Sequence, residues 1–532
     1  MYIIGSHIIT PLGEGIEANF NAITAGQSGI RQYNDETLLP TPFYASRFPK
    51  KRTNSTYNSF EQLCIDCAGP AIRQADINAA DPTTIFIIST TKGNIEALSQ
   101  TNDIETISPA ESAKRIARYF ENQNTPIVVS NACTSGVCAQ ITALRLINAG
   151  LYNNAVVIGV DILSEFIITG FNCLKALSDQ PCKPYDANRN GLNLGEAAAC
   201  MIISNKYRPD SIQLINGSIC NDANHISGPS RTAEGSMRVL QQIVSETDNL
   251  ALINAHGTST LYNDEMESIA VERAGLIDIP VNSLKSIFGH TMGAAGILET
   301  LITIQALRNN IILPTRNFQQ LGVSRNIKVS NQQTKTDKKQ FIKLMSGFGG
   351  CNAAMLCSLT PQQPLKYNAP YLTDIANVKL TSATDDINEI YKQQIEHYPK
   401  YLKMDMMCRL GFIATELIAK QQTLNADCAV IIFSRSGSLL NDINYQHTIS
   451  DFPSPALFVY TLPNIVTGEI AIRHHLLTET SCYLLPYDDW DMIHKIVETT
   501  AAATNCSQVL YGWLEATPDN FCADMRLAQR NN

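Results

Sequence analysis

The sequence lacks an excess of basic residues. Its 40 Lys and Arg stand against 49 Asp and Glu, which gives a formal net charge of -9 at pH 7. A broadly basic, phosphate-coating surface is therefore excluded, and nucleic acid is a poor prediction for a partner. Disorder is disfavoured as well, because 44% of the residues are hydrophobic and only 17% are charged, which is enough to build a large core.

The sequence also lacks a run of roughly 18 apolar residues, so a membrane-spanning helix is not predicted. The first residues, Met1-Tyr-Ile-Ile-Gly-Ser-His, enter a β-branched run without a basic leader or a cleavage site, and we expect no secretion signal. The 15 cysteines are scattered, and the only CxxC, Cys64 to Cys67, has no second pair to complete a zinc site. We therefore expect reduced thiols, a cytoplasmic location and no bound metal.

A chain of 532 residues is long for one fold at about 150 residues per domain, so at least two domains are expected. Up to about residue 360, β-branched runs alternate with helical stretches, which indicates an α/β fold. Buried strands are predicted at 85–89, 126–130, 154–160 and 251–255, and a helix at 140–149. Prolines among polar residues predict a linker at 361–370, which separates a domain at 1–360 from a smaller α/β domain at 371–532.

The smaller domain resembles part of the first one. A helix is predicted at about 402–420. The predicted strand at 428–434 is followed by Gly437, in the same way that the stretch at 84–89 is followed by Gly93. Similar motif spacings suggest a diverged half-repeat, and aligning Gly136 with Gly468 sets Ile465 opposite Cys133. We therefore expect a half without a nucleophile that packs on the first domain.

The strongest local signal surrounds Cys133, in Val128-Val-Ser-Asn-Ala-Cys133-Thr-Ser-Gly. A strand ends, small residues form a tight turn and a helix begins at the cysteine. The unpaired N–H groups of a first helical turn favour a thiolate, so we expect a lowered pKa and a sulfur nucleophile. The alternative is a small buried hydrophobe, which is the better description of Cys138.

Two histidines lie in glycine-framed loops, Ala255-His256-Gly-Thr258-Ser-Thr260 and Lys285-Ser-Ile-Phe-Gly-His290. Two neutral imidazoles that offer N–H to one oxygen stabilise an oxyanion or an enolate, and removal of one such donor typically costs about 2.7–4 kcal/mol. Each histidine taken alone is better explained by a structural role. Lys285 is either a solvated charge or a group that keeps a nearby imidazole neutral.

Two further segments are ambiguous by themselves. Gly347-Phe348-Gly349-Gly350 predicts either a turn before a final strand or a mobile loop with Phe348 as a lid. Asp222-Ala-Asn-His225 is similar in kind and carries no separate signal.

Taken together, these motifs occur in one order over residues 1–360 and resemble those of elongating β-ketoacyl-acyl carrier protein synthases of the thiolase-like superfamily. The resemblance includes Asn-Ala-Cys133-Thr-Ser-Gly, the two histidine motifs, Glu299 and Gly347-Phe-Gly-Gly-x-Asn352. The turn at Tyr185 departs mildly from the family pattern, and the domain is somewhat short for such enzymes. Roles distributed over several chain segments are typical of this kind of site.

The resemblance implies a five-layered α/β/α/β/α core, in a homodimer or a synthase-like heterodimer. It implies a decarboxylative Claisen condensation, in which Cys133 takes an acyl group from acyl carrier protein and malonyl-acyl carrier protein then supplies an enolate. The substrates are carried on phosphopantetheine, so no cofactor is expected. An acidic carrier protein needs a local basic patch, for which the candidates are Arg47, Lys50, Lys51, Arg52, Lys114, Arg115 and Arg118.

The resemblance also assigns roles to individual residues. His256 and His290 are implied as donors to the thioester oxygen, and the backbone N–H groups of Cys133 and Phe348 as the oxyanion hole. The other implied roles are support for the site by Lys285, Glu299, Gly349 and Asp264, contacts to the pantetheine arm by Thr258 and Thr260, gating by Phe348, and a second gating loop at Asp222 and His225.

Several alternatives stay open from the sequence. Within the superfamily these are a thiolase or a starter-type synthase, which the Lys-Ser-Ile-Phe-Gly-His290 motif disfavours. An alternative from another functional class is a non-catalytic chain-length-factor-like subunit. Such subunits usually lack the cysteine that is present here. The pathway is equally open between fatty acids and a polyene or polyketide, including an aryl polyene or flexirubin.

Overall fold

The computed structural model describes residues 1–363 and 371–531. Most of the predicted linker at 361–370 therefore lies outside the described residues. None of the helices within the described ranges is long and apolar enough to cross a membrane.

The first unit of the fold contains strands and helices up to Ser204. Its strands are β1 (Tyr2–Thr10), β2 (Gly13–Glu14), β3 (Ile30–Tyr33), β4 (Phe43–Ser46), β5 (Thr84–Ser89), β6 (Ile127–Val129), β7 (Asn154–Asp161), β8 (Leu194–Gly195) and β9 (Ala197–Ser204). Its helices are α1 (Ile16–Thr24), α2 (Ser59–Ala75), α3 (Ile104–Ile107), α4 (Pro109–Tyr119), α5 (Ser135–Asn148) and α6 (Glu165–Cys173).

The second unit follows directly and ends at Ser358. Its strands are β10 (Ile212–Asn221), β11 (Leu250–Asn254), β12 (Pro280–Asn282), β13 (Ile311–Ile312), β14 (Lys328–Val329), β15 (Thr334–Lys335), β16 (Gln340–Gly347) and β17 (Cys351–Ser358). Its helices are α7 (Glu234–Ile243), α8 (Leu261–Arg273), α9 (Lys285–Phe288) and α10 (Ala295–Arg308).

A third unit lies after the linker. Its strands are β18 (Leu372–Thr381), β19 (Ala429–Ser434), β20 (Thr480–Leu484), β21 (Gln508–Ala516) and β22 (Phe521–Arg530). Its helices are α11 (Ile387–Gln394), α12 (Met406–Gln421), α13 (Leu439–Ile449), α14 (Pro455–Val459), α15 (Ile465–His474) and α16 (Trp490–Thr504).

The main strands of the three units share one sheet order. It is β6-β5-β7-β9-β1 in the first unit, β12-β11-β16-β17-β10 in the second and β20-β19-β21-β22-β18 in the third. In each unit the first three strands are parallel and the last two join antiparallel. The predicted strands around residues 87, 128, 157, 253 and 431 are confirmed as β5, β6, β7, β11 and β19, and the predicted helices as α5 and α12.

Helices α5 and α10 form the central layer between the first two sheets, and nearly all of their residues are buried. Helices α2 and α4 cover the outer face of the first sheet, and α7 and α8 cover the outer face of the second. The strands between them are buried on both faces, which is why β5 reads as a continuous apolar run rather than an alternating one. The predicted five-layered α/β/α/β/α core is confirmed.

The third unit continues the first sheet. Strand β20 pairs antiparallel with β6, with Tyr483 opposite Val129 and Leu484 opposite Val128. Helix α16 packs against α5, and a buried bidentate ion pair joins Arg145 of α5 to Glu479 at 2.7 Å for both N–O contacts. The edge strand β6 of the first sheet is therefore covered by the same chain.

The alignment that set Ile465 opposite Cys133 is wrong. Ile465 begins α15, which precedes β20, whereas Cys133 follows β6, the strand that β20 matches in sheet order. Val129 pairs with the last residue of β5, and Leu484 pairs with the last residue of β19. The residue four positions after this paired end is Cys133 in the first unit and Asp488 in the third. The alignment matched short Gly-containing turns that do not correspond in the fold, because similar turns follow several strands.

Candidate active site

Cys133 lies in a single turn of 3-10 helix, Ala132–Thr134, between β6 and α5. The residue before it, Ala132, has a φ of 48°, a left-handed conformation that is uncommon for a residue with a side chain. The Ser135 hydroxyl closes the turn, since it donates to Ala132 O at 2.6 Å and accepts from the N–H of Asn131 at 2.8 Å. These bonds fix the conformation of the turn that carries Cys133.

The third unit braces this turn directly. The backbone N–H of Cys482, in β20, donates to Asn131 Oδ1 at 2.7 Å, and the N–H of Ser130 donates to Cys482 O at 3.2 Å. The position of the nucleophile therefore depends on a strand that lies about 350 residues away in the sequence.

The expected lowering of the Cys133 pKa by the helix start is wrong. Burial raises the pKa of the thiol to about 12, an effect that the nearby positive charge of Lys285 only partly offsets. The loss of hydration of a buried thiolate outweighs the helix dipole, because Cys133 precedes the regular helix. Its reactivity must therefore come from a partner that stabilises the sulfur as it loses its proton.

That partner is His290. Its Nε2 lies 2.9 Å from Cys133 Sγ. The backbone N–H of Met292 points at Nδ1 from 3.3 Å, so Nδ1 accepts and the proton is assigned to Nε2. His290 thus directs an N–H into the space around the sulfur.

His256 faces the same space. Its ring centroid lies 5.1 Å from that of His290, with the ring planes at 81°. Glu267 holds the loop by accepting from the backbone N–H groups of His256 at 2.7 Å and Gly257 at 2.6 Å. The pKa of both imidazoles is lowered well below the usual range, first by burial and then by Lys285. Both rings are therefore neutral at neutral pH, as the sequence predicts.

Lys285 and Glu299 lie behind the histidines rather than in the cavity. Lys285 Nζ is 2.6 Å from Glu299 Oε1, and each side chain is 1% exposed. A second lysine that no motif indicated, Lys343 of β16, lies 2.5 Å from Oε2 of the same carboxylate. The one sequence signal for Lys343 is its position as a charged residue among apolar ones in Phe-Ile-Lys343-Leu-Met.

A cavity of about 460 Å³ opens from Cys133, His256 and His290. The predicted residues Thr258, Thr260, Asp222 and Phe348 also line it. The hydroxyl oxygens of Thr258 and Thr260 are 2.9 Å apart, and both residues line this cavity. The structure thus brings residues from five distant segments to one cavity.

A second, apolar cavity of about 30 Å³ is also lined by Cys133. The first two units contribute Ile167, Phe171, Met292 and Phe348 to its wall. The third unit contributes Phe458, Thr461 and Leu462, none of which the sequence motifs indicated.

The glycine-rich loop at Phe348 packs against the nucleophile turn. A Cβ atom on Gly347 would lie 3.2 Å from the backbone nitrogen of Cys133, so only glycine allows this approach without crowding. Asn464 of the third unit donates from Nδ2 to Phe348 O at 2.8 Å. Gly349 has a φ of 84° and follows Phe348 without lining the cavity itself.

Asp264, Asp222 and His225 are three further residues that the sequence predicts at or near the site. Asp264 is fully buried and accepts from the N–H groups of Tyr185 at 2.7 Å and Ser259 at 3.1 Å, which braces the His256 loop. Asp222 accepts from the N–H groups of Gly235 and Ser230. His225 is exposed, bonds to Ser227 and does not line the main cavity.

The candidate basic patches for carrier-protein docking are largely neutralised. Five of their members form ion pairs with carboxylates: Arg47 with Asp35, Lys51 with Glu96, Arg52 with Glu14 and Asp66, Lys114 with Glu111, and Arg115 with Glu61. This pairing weakens both clusters as sites of attraction for an acidic protein.

Within the described residues, Cys133, His256 and His290 are the group whose ligand atoms lie close enough to hold a metal ion, within 4.8 Å of one another. Because Nδ1 of His290 accepts from the N–H of Met292, Nε2 carries the proton and has no free lone pair for a metal ion. The donor set therefore suits hydrogen bonding to an oxygen better than coordination of a metal.

Comparison with protein families adds independent evidence. Residues 58–208 match the family model described as the N-terminal domain of β-ketoacyl synthase, and residues 213–319 match that of its C-terminal domain. A 3-oxoacyl-[acyl-carrier-protein] synthase 2 from Vibrio cholerae is 26% identical over 66% of this chain and 97% of its own length. The ketoacyl synthase alpha subunit of the tetracenomycin polyketide synthase from Streptomyces glaucescens is 27% identical over 66% of this chain and 95% of its own length.

Solved structures support the fold of both parts. The ketosynthase ApeO in complex with its chain length factor ApeC from Xenorhabdus doucetiae matches 68% of this chain and 98% of that chain, with a TM-score of 0.61 and 24% identity. The PfaC keto synthase–chain length factor matches 99% of this chain and 78% of that chain, with a TM-score of 0.81 and 12% identity. At these identities the likeness concerns the fold alone, and in the second case it includes the third unit.

Proposed function

Because this chain belongs to the β-ketoacyl synthase family, we propose that its active site condenses an acyl group held on Cys133 with a malonyl thioester carried by acyl carrier protein. The observation that carries this proposal is the 2.9 Å approach of His290 Nε2 to Cys133 Sγ, with His256 on the same cavity. The product is a 3-oxoacyl thioester.

The first step transfers the acyl group to the enzyme. The Cys133 sulfur attacks the thioester carbonyl, a new C–S bond forms and the bond to the carrier thiol breaks. The proton that Cys133 loses ends on the leaving carrier thiol, with His290 placed to assist it. The backbone N–H groups of Cys133 and Phe348 are the proposed oxyanion hole, which fits the close approach that Gly347 permits.

The second step removes CO₂ from the malonyl group. The neutral N–H groups of His256 and His290 donate to the thioester oxygen, so the electrons of the breaking C–C bond are held as an enolate. The enolate carbon attacks acyl-Cys133, a C–C bond forms, and the sulfur leaves and takes a proton from solvent. No metal or cofactor takes part in this proposal.

The remaining predicted residues receive proposed supporting roles. Lys285 and Glu299 keep the imidazoles neutral and fixed, while Thr258 and Thr260 bind the phosphopantetheine arm that reaches the cavity. Phe348 gates the passage between the two cavities, and the segment from Asp222 to His225 forms the second gating loop. These roles are supported by where the side chains lie along or behind the cavity.

We propose that the third unit occupies the position that a partner subunit would take beside the first two units. The supporting observations are the β6–β20 pairing, the bond from Cys482 to Asn131, and the contribution of Phe458 to the small cavity beside the nucleophile. Asp488 takes the position in the third unit that Cys133 has in the first. The third unit therefore lines the small cavity but does not contribute a second nucleophile.

The proposed partner is an acyl carrier protein, and the proposed location is the cytoplasm, since each of the 15 cysteines is a free thiol. The pathway stays open between fatty acids and a polyene or polyketide. The chain length factor named in the two structural comparisons supports the second group.

Intact mass spectrometry tests the proposal. The full chain, mixed with an acyl-acyl carrier protein, should gain the mass of the acyl group on Cys133, and addition of malonyl-acyl carrier protein should release a 3-oxoacyl product. A Cys133→Ala variant is the matched control and should gain no mass. An unmodified wild-type chain would favour the non-catalytic chain-length-factor-like alternative instead.

A further inference from the structure

A buried ionic chain behind the histidines contains one positive charge in excess. Glu299 accepts from Lys285 at one carboxylate oxygen and from Lys343 at the other, at 2.6 and 2.5 Å. The side chains of Lys343 and Glu299 are 0% and 1% exposed. Since Lys285 and Glu299 alone would cancel, the excess charge is the one that Lys343 brings.

Lys343 also ties the two histidine segments together. Its Nζ donates to Asn254 Oδ1 at 2.7 Å and to Ala255 O at 3.2 Å, and these two residues directly precede His256. On the other side, the chain continues through Glu299 to Lys285, the first residue of the short helix that leads to His290. One side chain thus joins the backbone before His256 to the carboxylate that fixes the His290 segment.

We propose that Lys343 is a positioning residue for decarboxylation, which holds the two histidine segments in register and supplies the fixed positive charge behind them. This inference rests on the condensing activity proposed above. The malonyl substrate brings a carboxylate into the cavity, and negative charge then moves onto the oxygen between the two imidazoles. A charge fixed in a buried site stabilises that developing charge far more than it would in water.

Transfer of the acyl group to Cys133 has a different requirement. The acyl thioester is neutral, and the proposed oxyanion hole for that step consists of backbone N–H groups rather than the imidazoles. Removal of Lys343 should therefore slow the two half-reactions unequally, which a general loss of packing would not do.

The charged groups that face Lys343 define its pH dependence. These are Glu299 on α10, Lys285 on α9, Glu267 on α8 and the two imidazoles. Burial lowers the pKa of Lys343 to about 8, against the pull of Glu299. The excess charge is therefore present at pH 7 and disappears as the pH rises through this value.

The experiment compares the full-length wild type with Lys343→Met, Lys343→Gln and the control Lys328→Met. Lys328 is an exposed lysine that pairs with Asp278 on the outer part of the same sheet. Acylation of Cys133 is followed by intact mass, and decarboxylation by CO₂ release from malonyl-acyl carrier protein. In both Lys343 variants decarboxylation should fall at least about tenfold, while acylation changes by less than about threefold.

The pH profile of decarboxylation provides a second test. Its decarboxylation rate should decline as the pH rises from about 7 to about 9, and a Lys343 variant should lack that decline. Decarboxylation equal to that of the control, an equal loss in both half-reactions, or a flat wild-type profile would each overturn the inference. A wild type that neither accepts an acyl group nor releases CO₂ would instead overturn the proposed condensing activity.

Discussion

At the scale of single residues, the reactivity of Cys133 depends on a neighbour rather than on the start of a helix. Burial raises the pKa of its thiol to about 12, so a free thiolate is rare near neutral pH. The Nε2–H of His290, 2.9 Å away, can donate to the sulfur and stabilise it as its proton leaves. Burial acts on the imidazoles in the opposite sense, because it disfavours their charged form.

The neutral histidines predict a pH dependence of stability. An unfolded histidine titrates near 6.5, whereas the pKa of His256 and of His290 is lowered by burial in the folded chain. As the pH falls through about 6.5, the unfolded state therefore binds protons that the folded state does not, and stability decreases. The melting temperature should fall more between about pH 7.5 and about pH 5.5 for the wild type than for His256→Ala/His290→Ala.

The double variant serves as the reference because other buried groups titrate in the same range with the opposite sign. Burial raises the pKa of Asp264 to about 7 and that of Asp442 to about 6. Their contribution is common to both proteins and cancels in the comparison. Equal pH slopes for the two proteins would show that the imidazoles are not held neutral.

At the scale of elements, the junction of β6 with β20 connects the third unit to the nucleophile. Backbone pairing, the Asn131 bond and the Arg145–Glu479 pair all lie within this junction. The side chains of Arg145 and Glu479 are 3% and 0% exposed, so both charges are removed from water. Breaking such a pair on one side leaves an uncompensated buried charge.

Glu479→Gln should therefore lower the free energy of unfolding by about 3–5 kcal/mol. The matched control is Asp278→Asn, which removes the acidic partner of an ion pair whose side chains are 57% and 84% exposed and should cost about 0–1 kcal/mol. Urea denaturation at neutral pH, followed by circular dichroism, measures both. A cost for Glu479→Gln no larger than that of the control would mean that the junction tolerates the loss.

At the scale of the whole molecule, the same strand order occurs in three units, and each unit contributes different residues to the site. The first unit brings Cys133, the second brings both histidines, and the third closes the far side of the nucleophile. Phe458 of the third unit packs over Gly170 so closely that a Cβ at that position would overlap its ring. The small cavity beside Cys133 ends at this aromatic side chain.

Phe458→Ala should therefore enlarge the cavity of about 30 Å³ and lengthen the acyl chain that Cys133 accepts. The measurement is the chain-length distribution of products from a series of starter acyl groups, analysed by mass spectrometry. Phe452→Ala is a matched control in the same unit, since Phe452 is 77% exposed and lies outside the cavity. Identical product lengths for the two variants would place the chain-length limit elsewhere.

Much of the first two units could be predicted from the sequence, because buried parallel strands produce long apolar runs and the catalytic motifs lie at their ends. Residues such as Lys343, Asn464 and Phe458 could not be predicted in this way. Lys343 is one charge within an apolar strand, and the other two act across a boundary between units. Short-range patterns carry no information about which distant segment lies next to them.

The sequence by itself predicted the α/β class and singled out Cys133, His256 and His290, because the proposed chemistry needs particular residue types in glycine-framed turns. Only the tertiary structure decided the protonation state of Cys133 and the neighbours of its turn. Both depend on burial and on contacts between residues hundreds of positions apart, such as Asn131 with Cys482. Those contacts form when β20 pairs with β6, and the spacing of motifs along the chain does not encode that pairing.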